Sequence, residues 1–202
     1  MKRIILVSAL VCVALTAFAD WGLYDSDRSW LAIDDGSETW YSLWNEGTGT
    51  FNGQDLGDFE TTDTLDITAF DVKTWKNGDS NVTGIEYFYT VYTGTRDNPS
   101  FTSMGGGWLE DLGGGNQKWG ASSLSFDLLD GTSAGNTYTV EVYGHITGTP
   151  GSGTGGTDQY DNNDGDIDNY SATFDVIPEP STMLMTGAVF SLAVLLRRFF
   201  RR

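Results

Sequence analysis

The sequence predicts an all-β protein: an antiparallel β-sandwich of the jelly-roll or immunoglobulin-like kind, with a short apolar helix at each end of the chain. Three observations predict it. Apolar residues in the middle of the chain alternate with polar ones at a period of two, the signature of strands with one buried face. Clusters of Gly, Asn and Asp punctuate these runs, and 25 of the 26 glycines lie between residues 20 and 177. That region holds no stretch of three turns with helical spacing of its apolar residues. Many short strands joined by glycine-rich turns fold as two packed sheets, and 202 residues are enough for one domain with a real core.

At the start of the chain, Lys2 and Arg3 precede an apolar run, Ile4–Leu15, and the small-x-small triplet Ala17-Phe18-Ala19. This is the layout of a secretory signal helix over residues 1–19, too short to span a bilayer, with cleavage after Ala19 leaving Asp20 as the first mature residue. The expected partners are the Sec machinery and signal peptidase; a buried N-terminal helix is the alternative. Cleavage removes Cys12, the only cysteine. A mature chain without thiols has no disulfide, no Cys-ligated metal and no cysteine nucleophile.

Residues 20–177 form the expected extracytoplasmic sandwich domain. Leu65 and Ile67 alternate with Thr64, Asp66 and Thr68; Leu124, Phe126 and Leu128 with Ser123, Ser125 and Asp127. Tyr138, Val140, Val142 and Ile146 alternate with Thr139, Glu141, Tyr143 and His145, and Tyr170, Ala172, Phe174 and Val176 with Ser171, Thr173 and Asp175. The run Gly84–Gly94 is aromatic on both faces, which predicts a central strand covered on two sides. Turns are expected at Asn77–Asn81, Gly105–Gly107, Gly113–Asn116, Gly131–Asn136 and Gly148–Gly156, and Thr147–Thr157 has the composition of a mobile loop. The domain carries 27 acidic side chains against five basic ones, a formal charge of −22. Such a surface excludes nucleic acid, whose phosphates are contacted through clustered Lys and Arg.

At the end of the chain, Pro178-Glu179-Pro180 stops the last strand, because proline fixes φ and lacks an N–H. The apolar run Met183–Leu196 follows, then Arg197, Arg198, Arg201 and Arg202. As a helix, 183–196 is about 21 Å long at ~1.5 Å per residue, short of a ~30 Å hydrocarbon core unless arginine snorkelling adds length. The arginines place the C-terminus in the cytoplasm and the main domain outside. Residues 178–202 resemble the PEP-CTERM sorting signal of Gram-negative bacteria: a Pro-Glu-Pro motif, a short transmembrane helix and a basic tail, in that order. The resemblance implies a transient single-pass anchor in the inner membrane. It also implies recognition by an exosortase, a membrane-embedded transpeptidase that cuts near Pro178, Glu179 and Pro180. The released or transferred domain would reach the cell surface or the extracellular space. Such systems accompany exopolysaccharide production. A second resemblance lies within the domain. Asp71-Val72-Lys73-Thr74-Trp75-Lys76, Val82-Thr83-Gly84, Tyr160-Asp161-Asn162-Asn163 and Asn169-Tyr170-Ser171-Ala172-Thr173-Phe174 are similar to a sandwich module of bacterial secreted and surface proteins, and imply a β-sandwich outside the cell with no catalytic residue carried over.

Two clusters are candidate binding sites. Asp161, Asn163, Asp164, Asp166 and Asp168 crowd hard oxygen donors around Gly165, the donor set of a calcium site. Tyr160 stands where an EF-hand-type loop needs its first ligand, and no bidentate glutamate follows, so a solvated hairpin loop is the competing reading. Seven tryptophans offer faces for sugar stacking, although aromatics also build sandwich cores. Trp108 and Trp119 are the stacking candidates because they lie in the glycine-rich segment 105–120. Catalysis has little to stand on: His145 is the only histidine, it lies on a predicted strand, and no nucleotide loop or HExxH pattern occurs. The expected function is therefore a non-enzymatic, exported and exosortase-processed protein with a structural or adhesive role in the surface or extracellular matrix. A carbohydrate-binding module acting on exopolysaccharide is the alternative, and an exopolysaccharide-acting enzyme comes third.

Overall fold

The computed structural model describes residues 20–24, 28–44, 49–151, 156–163 and 169–179. The expected signal helix and its cleavage residues Ala17 and Ala19 lie outside them. So do Pro180, the 183–196 helix and the arginine tail. The described residues form twelve strands: β1 (Trp21–Leu23), β2 (Ser29–Asp34), β3 (Glu38–Ser42), β4 (Gln54–Phe59), β5 (Asp66–Lys76), β6 (Asn81–Thr93), β7 (Thr102–Gly105), β8 (Gly107–Gly113), β9 (Asn116–Asp127), β10 (Asn136–Thr149), β11 (Asp158–Asp161) and β12 (Tyr170–Val176). The described residues contain no helix.

The strands form two six-stranded sheets. The first runs β3-β2-β5-β9-β8, with β1 also paired to β5; the second runs β4-β12-β10-β6-β7, with β11 also paired to β10. The period-two alternation decides which faces meet. From the first sheet Leu31, Ile33, Phe70 and Val72 are buried, and from the second Tyr87, Val140, Val142, Ile146 and Phe174, all in one core. Each such side chain contributes roughly 1.5–3 kcal/mol on leaving water. Ring contacts cross between the sheets: Phe70 packs on Tyr87 with centroids 4.5 Å apart, and Tyr89 on Phe126 at 5.3 Å.

Three details depart from the expectations. The second sheet is mixed, because β4 runs parallel to β12. The segment 105–120 is mostly strand: β8 and β9 pair antiparallel with two register shifts, and Gly114 and Gly115 make the turn between them. The 147–157 segment is tied at both ends, since β10 continues to Thr149 and the Gly148 N–H donates to the Thr157 carbonyl at 2.9 Å. As expected, β6 is an interior strand; its inner ring Tyr87 is fully buried, while Phe88 on the outer face is half-buried and stacks on Tyr143 with centroids 5.0 Å apart.

One strand in each sheet has a divided neighbour. β1 pairs with the far end of β5 at residues 74–76, and β2 with the rest of the same edge. β11 pairs with β10 at residues 144–147, and β12 with residues 136–142. Chain breaks in the two sheets thus come together where β2 begins, β11 ends and β12 begins.

Candidate functional site

At that junction sits a buried polar cluster. Asp161, the last residue of β11, is fully buried. Its Oδ1 accepts from Arg28 Nε at 2.9 Å, from Arg28 Nη2 at 2.9 Å and from the Tyr170 hydroxyl at 2.8 Å. Its Oδ2 accepts from the Tyr87 hydroxyl. Arg28 Nη2 also donates to the Tyr170 hydroxyl at 3.3 Å, and the guanidinium lies 3.6 Å above the centroid of the Trp44 ring. Burial opposes the charge on Arg28, but Asp161, with Tyr170 and Tyr87 beside it, outweighs burial and raises the guanidinium above its usual value. Burial, reinforced by the Asp161 carboxylate, raises the Tyr87 hydroxyl well above the ordinary phenol value and raises that of Tyr170 as well. A carboxylate fully out of water needs such a set of donors.

This placement gives Asp161, one of the expected calcium donors, a structural role. Both of its oxygens accept hydrogen bonds within an internal ion pair that joins the sheets. Asn163 lies on the wall of a separate surface pocket of about 330 Å³ beside Arg96, Glu141 and Asn169. Asp164, Asp166 and Asp168 lie outside the described residues. Among the described residues, no group of three His, Cys, Asp or Glu side chains gathers as a metal site. The Glu141 carboxylate in that pocket accepts from the Tyr92 hydroxyl at 2.5 Å, Arg96 Nε at 2.9 Å and Asn169 Nδ2 at 3.2 Å.

The two stacking candidates separate. Trp119 is a core residue at 8% exposure, opposite the fully buried Val72 in the β5–β9 pair, and offers no face to a sugar. Its glycine-rich flanks suggest a loop, but Gly120 lies within β9 and Gly114 and Gly115 form a tight turn. Trp108 is 55% exposed on β8, the outermost strand of its sheet, near the exposed Leu109 and Leu112. The tripeptide residues Pro178 and Glu179 follow β12 without regular structure.

On the outer face of β10, His145 Nε2 lies 2.9 Å from Asp158 Oδ1, and its ring stacks on Tyr160 with centroids 4.9 Å apart. Hydrogen bonds from the Thr157 hydroxyl and from His145 hold the Asp158 carboxyl below the usual range. Thr157 donates to Asp158 and not to the imidazole, so these three groups are not arranged as a nucleophile with its base.

Sequence reasoning gave no functional role to Arg28, Tyr87, Tyr170 or the ring of Tyr160. Only Arg28 carried a signal, as one of five bases in a strongly acidic domain. No family model matches the chain, and neither a curated protein nor a solved structure matches it.

Proposed function

We propose that this chain is an exported protein, processed at both ends, whose mature β domain has a structural or adhesive role at the cell surface or in the extracellular matrix. The observation that carries this reading is the agreement between the fold's outermost ties and the expected cuts. The Asp20 carbonyl accepts from the Asn77 N–H at 2.8 Å and from the Ser80 hydroxyl at 2.6 Å. The Ile177 N–H donates to the Phe59 carbonyl at 2.8 Å. Removing residues 1–19 and the chain beyond the Pro178-Glu179-Pro180 motif leaves both joints whole. Signal peptidase would make the first cut and an exosortase the second, with the 183–196 helix holding the substrate in the inner membrane meanwhile. Two six-stranded sheets over one core suit a sandwich of the jelly-roll or immunoglobulin-like kind. A calcium ion in the 161–168 loop would have to rely on Asn163 and the acids after it.

Mass spectrometry of the protein recovered from its host tests the reading. The expected species begins at Asp20 and lacks Arg201 and Arg202; a mature protein that keeps both arginines overturns the sorting proposal. The exposure of Trp108, Leu109 and Leu112 on an edge strand favours a second reading, a carbohydrate-binding module engaging exopolysaccharide.

A further inference from the structure

A groove of about 600 Å³ runs between β1 and β11, with Asp20, Trp75, Asp158, Gln159 and Tyr160 on its walls. Its volume lies within the ~300–1,000 Å³ common for small-molecule sites. Two aromatic side chains line it, Trp75 from the outer face of β5 and Tyr160 from the outer face of β11. The Trp75 indole N–H donates to the Leu23 carbonyl at 3.0 Å, and the ring lies flat against Gly22, where an added Cβ would sit 3.0 Å from it. Tyr160 is 58% exposed, with one face stacked on His145, which Asp158 fixes in turn. The Gln159 amide ties the walls together, donating to the Trp21 carbonyl at 3.0 Å and accepting from the Leu23 N–H at 3.2 Å.

We propose that this groove is a carbohydrate subsite for a neutral hexose polymer; the proposal rests on the carbohydrate-binding reading and moves its centre from Trp108 to Trp75 and Tyr160. The electron-rich face of an aromatic ring attracts the weakly positive C–H bonds of a pyranose, and equatorial hydroxyls leave those C–H faces flat and open. Asp20 and Asp158 carboxylates accept hydrogen bonds and donate none, which matches the hydroxyl rim of such a sugar. The rings are already ordered, so binding costs little side-chain entropy. Charge selects the polymer class: Arg28 on the groove wall is already paired with Asp161, and with −22 on residues 20–177 an anionic polysaccharide is repelled while a neutral one is not.

The test is titration of the purified full-length chain, held in a detergent without a sugar headgroup, with cellohexaose, alginate oligomers and chitosan oligomers, read by tryptophan fluorescence. Cellohexaose is expected to bind saturably, and Tyr160→Ala, which removes an exposed ring, to raise its Kd about tenfold. Asp158→Asn should weaken it too, while Trp108→Ala should leave it unchanged. Loss of binding in Trp108→Ala but not in Tyr160→Ala overturns the groove and leaves the carbohydrate reading standing. No binding of cellohexaose overturns both. Binding of chitosan alone, abolished by salt, shows attraction to general negative charge and overturns the groove as well.

Discussion

Asp161 is buried to zero exposure beside one guanidinium and two phenols, and the energetics of such a cluster are lopsided. Removing one partner leaves the other charge buried without compensation, which costs about 3–5 kcal/mol, whereas replacing both with apolar side chains is often neutral. Arg28→Met and Asp161→Leu are each expected to lower unfolding stability by ~3–5 kcal/mol. The double replacement should recover much of the loss, as measured by chemical denaturation. The phenols add a pH dependence. Burial and the neighbouring carboxylate raise the hydroxyls of Tyr87 and Tyr170 in the folded state, while in the unfolded chain they titrate near the ordinary value of about 10. Below that pH both states are protonated and the stabilisation is fully present. Above it the unfolded chain releases protons that the folded chain retains, so stability falls as pH rises. Melting temperature should therefore drop between about pH 10 and pH 12, and drop less steeply in Tyr170→Phe. The cluster was hidden in the sequence because its members lie at positions 28, 87, 161 and 170, and no local pattern links residues so far apart.

The strands show which elements a sequence declares and which it conceals. β10 and β12 were legible because one face is buried and the other is not: Tyr138, Val140, Val142 and Ile146 point inward, as do Tyr170, Ala172, Phe174 and Val176. β8 was not legible, because Trp108 to Leu112 are exposed throughout and impose no alternation. Glycine misled for a related reason. Gly148 reads as a turn residue from its neighbours, yet it lies within β10 so that the buried Trp21 of β1 can rest on its backbone. A Cβ at position 148 would stand 2.1 Å from Trp21 Cε2. Gly144 is used in the same way, with the Tyr87 ring 2.7 Å from its Cβ position. Only the tertiary structure distinguishes such glycines from those of a turn. Gly148→Ala is accordingly expected to destabilise by about 1–3 kcal/mol through overpacking. Part of that loss should return in the double variant with Trp21→Leu, as read from thermal melts.

At the scale of the whole molecule, the decisive element is the last strand. β12 is an interior strand, paired with β10 on one side and with β4 on the other, and four of its seven side chains enter the core. A cut within it removes Phe174, which packs on both Phe59 and Tyr138, and leaves two strands with unpaired edges. A cut beyond Ile177 removes none of these contacts. A cut near Pro178-Glu179-Pro180 would leave this pairing intact, because the tripeptide begins one residue past the hydrogen bond between Ile177 and Phe59. Two truncations test this dependence without any cellular processing. A chain of residues 20–177 should fold cooperatively, with the near-ultraviolet dichroism of packed aromatic rings. A chain ending at Asn169 lacks the whole of β12 and should give no cooperative melt, since exposing the core faces of β4 and β10 removes several buried aromatic and aliphatic side chains worth roughly 1.5–3 kcal/mol each, against the ~5–15 kcal/mol of a typical domain. If both truncations melt alike, β12 is not the strand that closes the core, and the position of Pro178-Glu179-Pro180 just beyond it has no bearing on the stability of the domain.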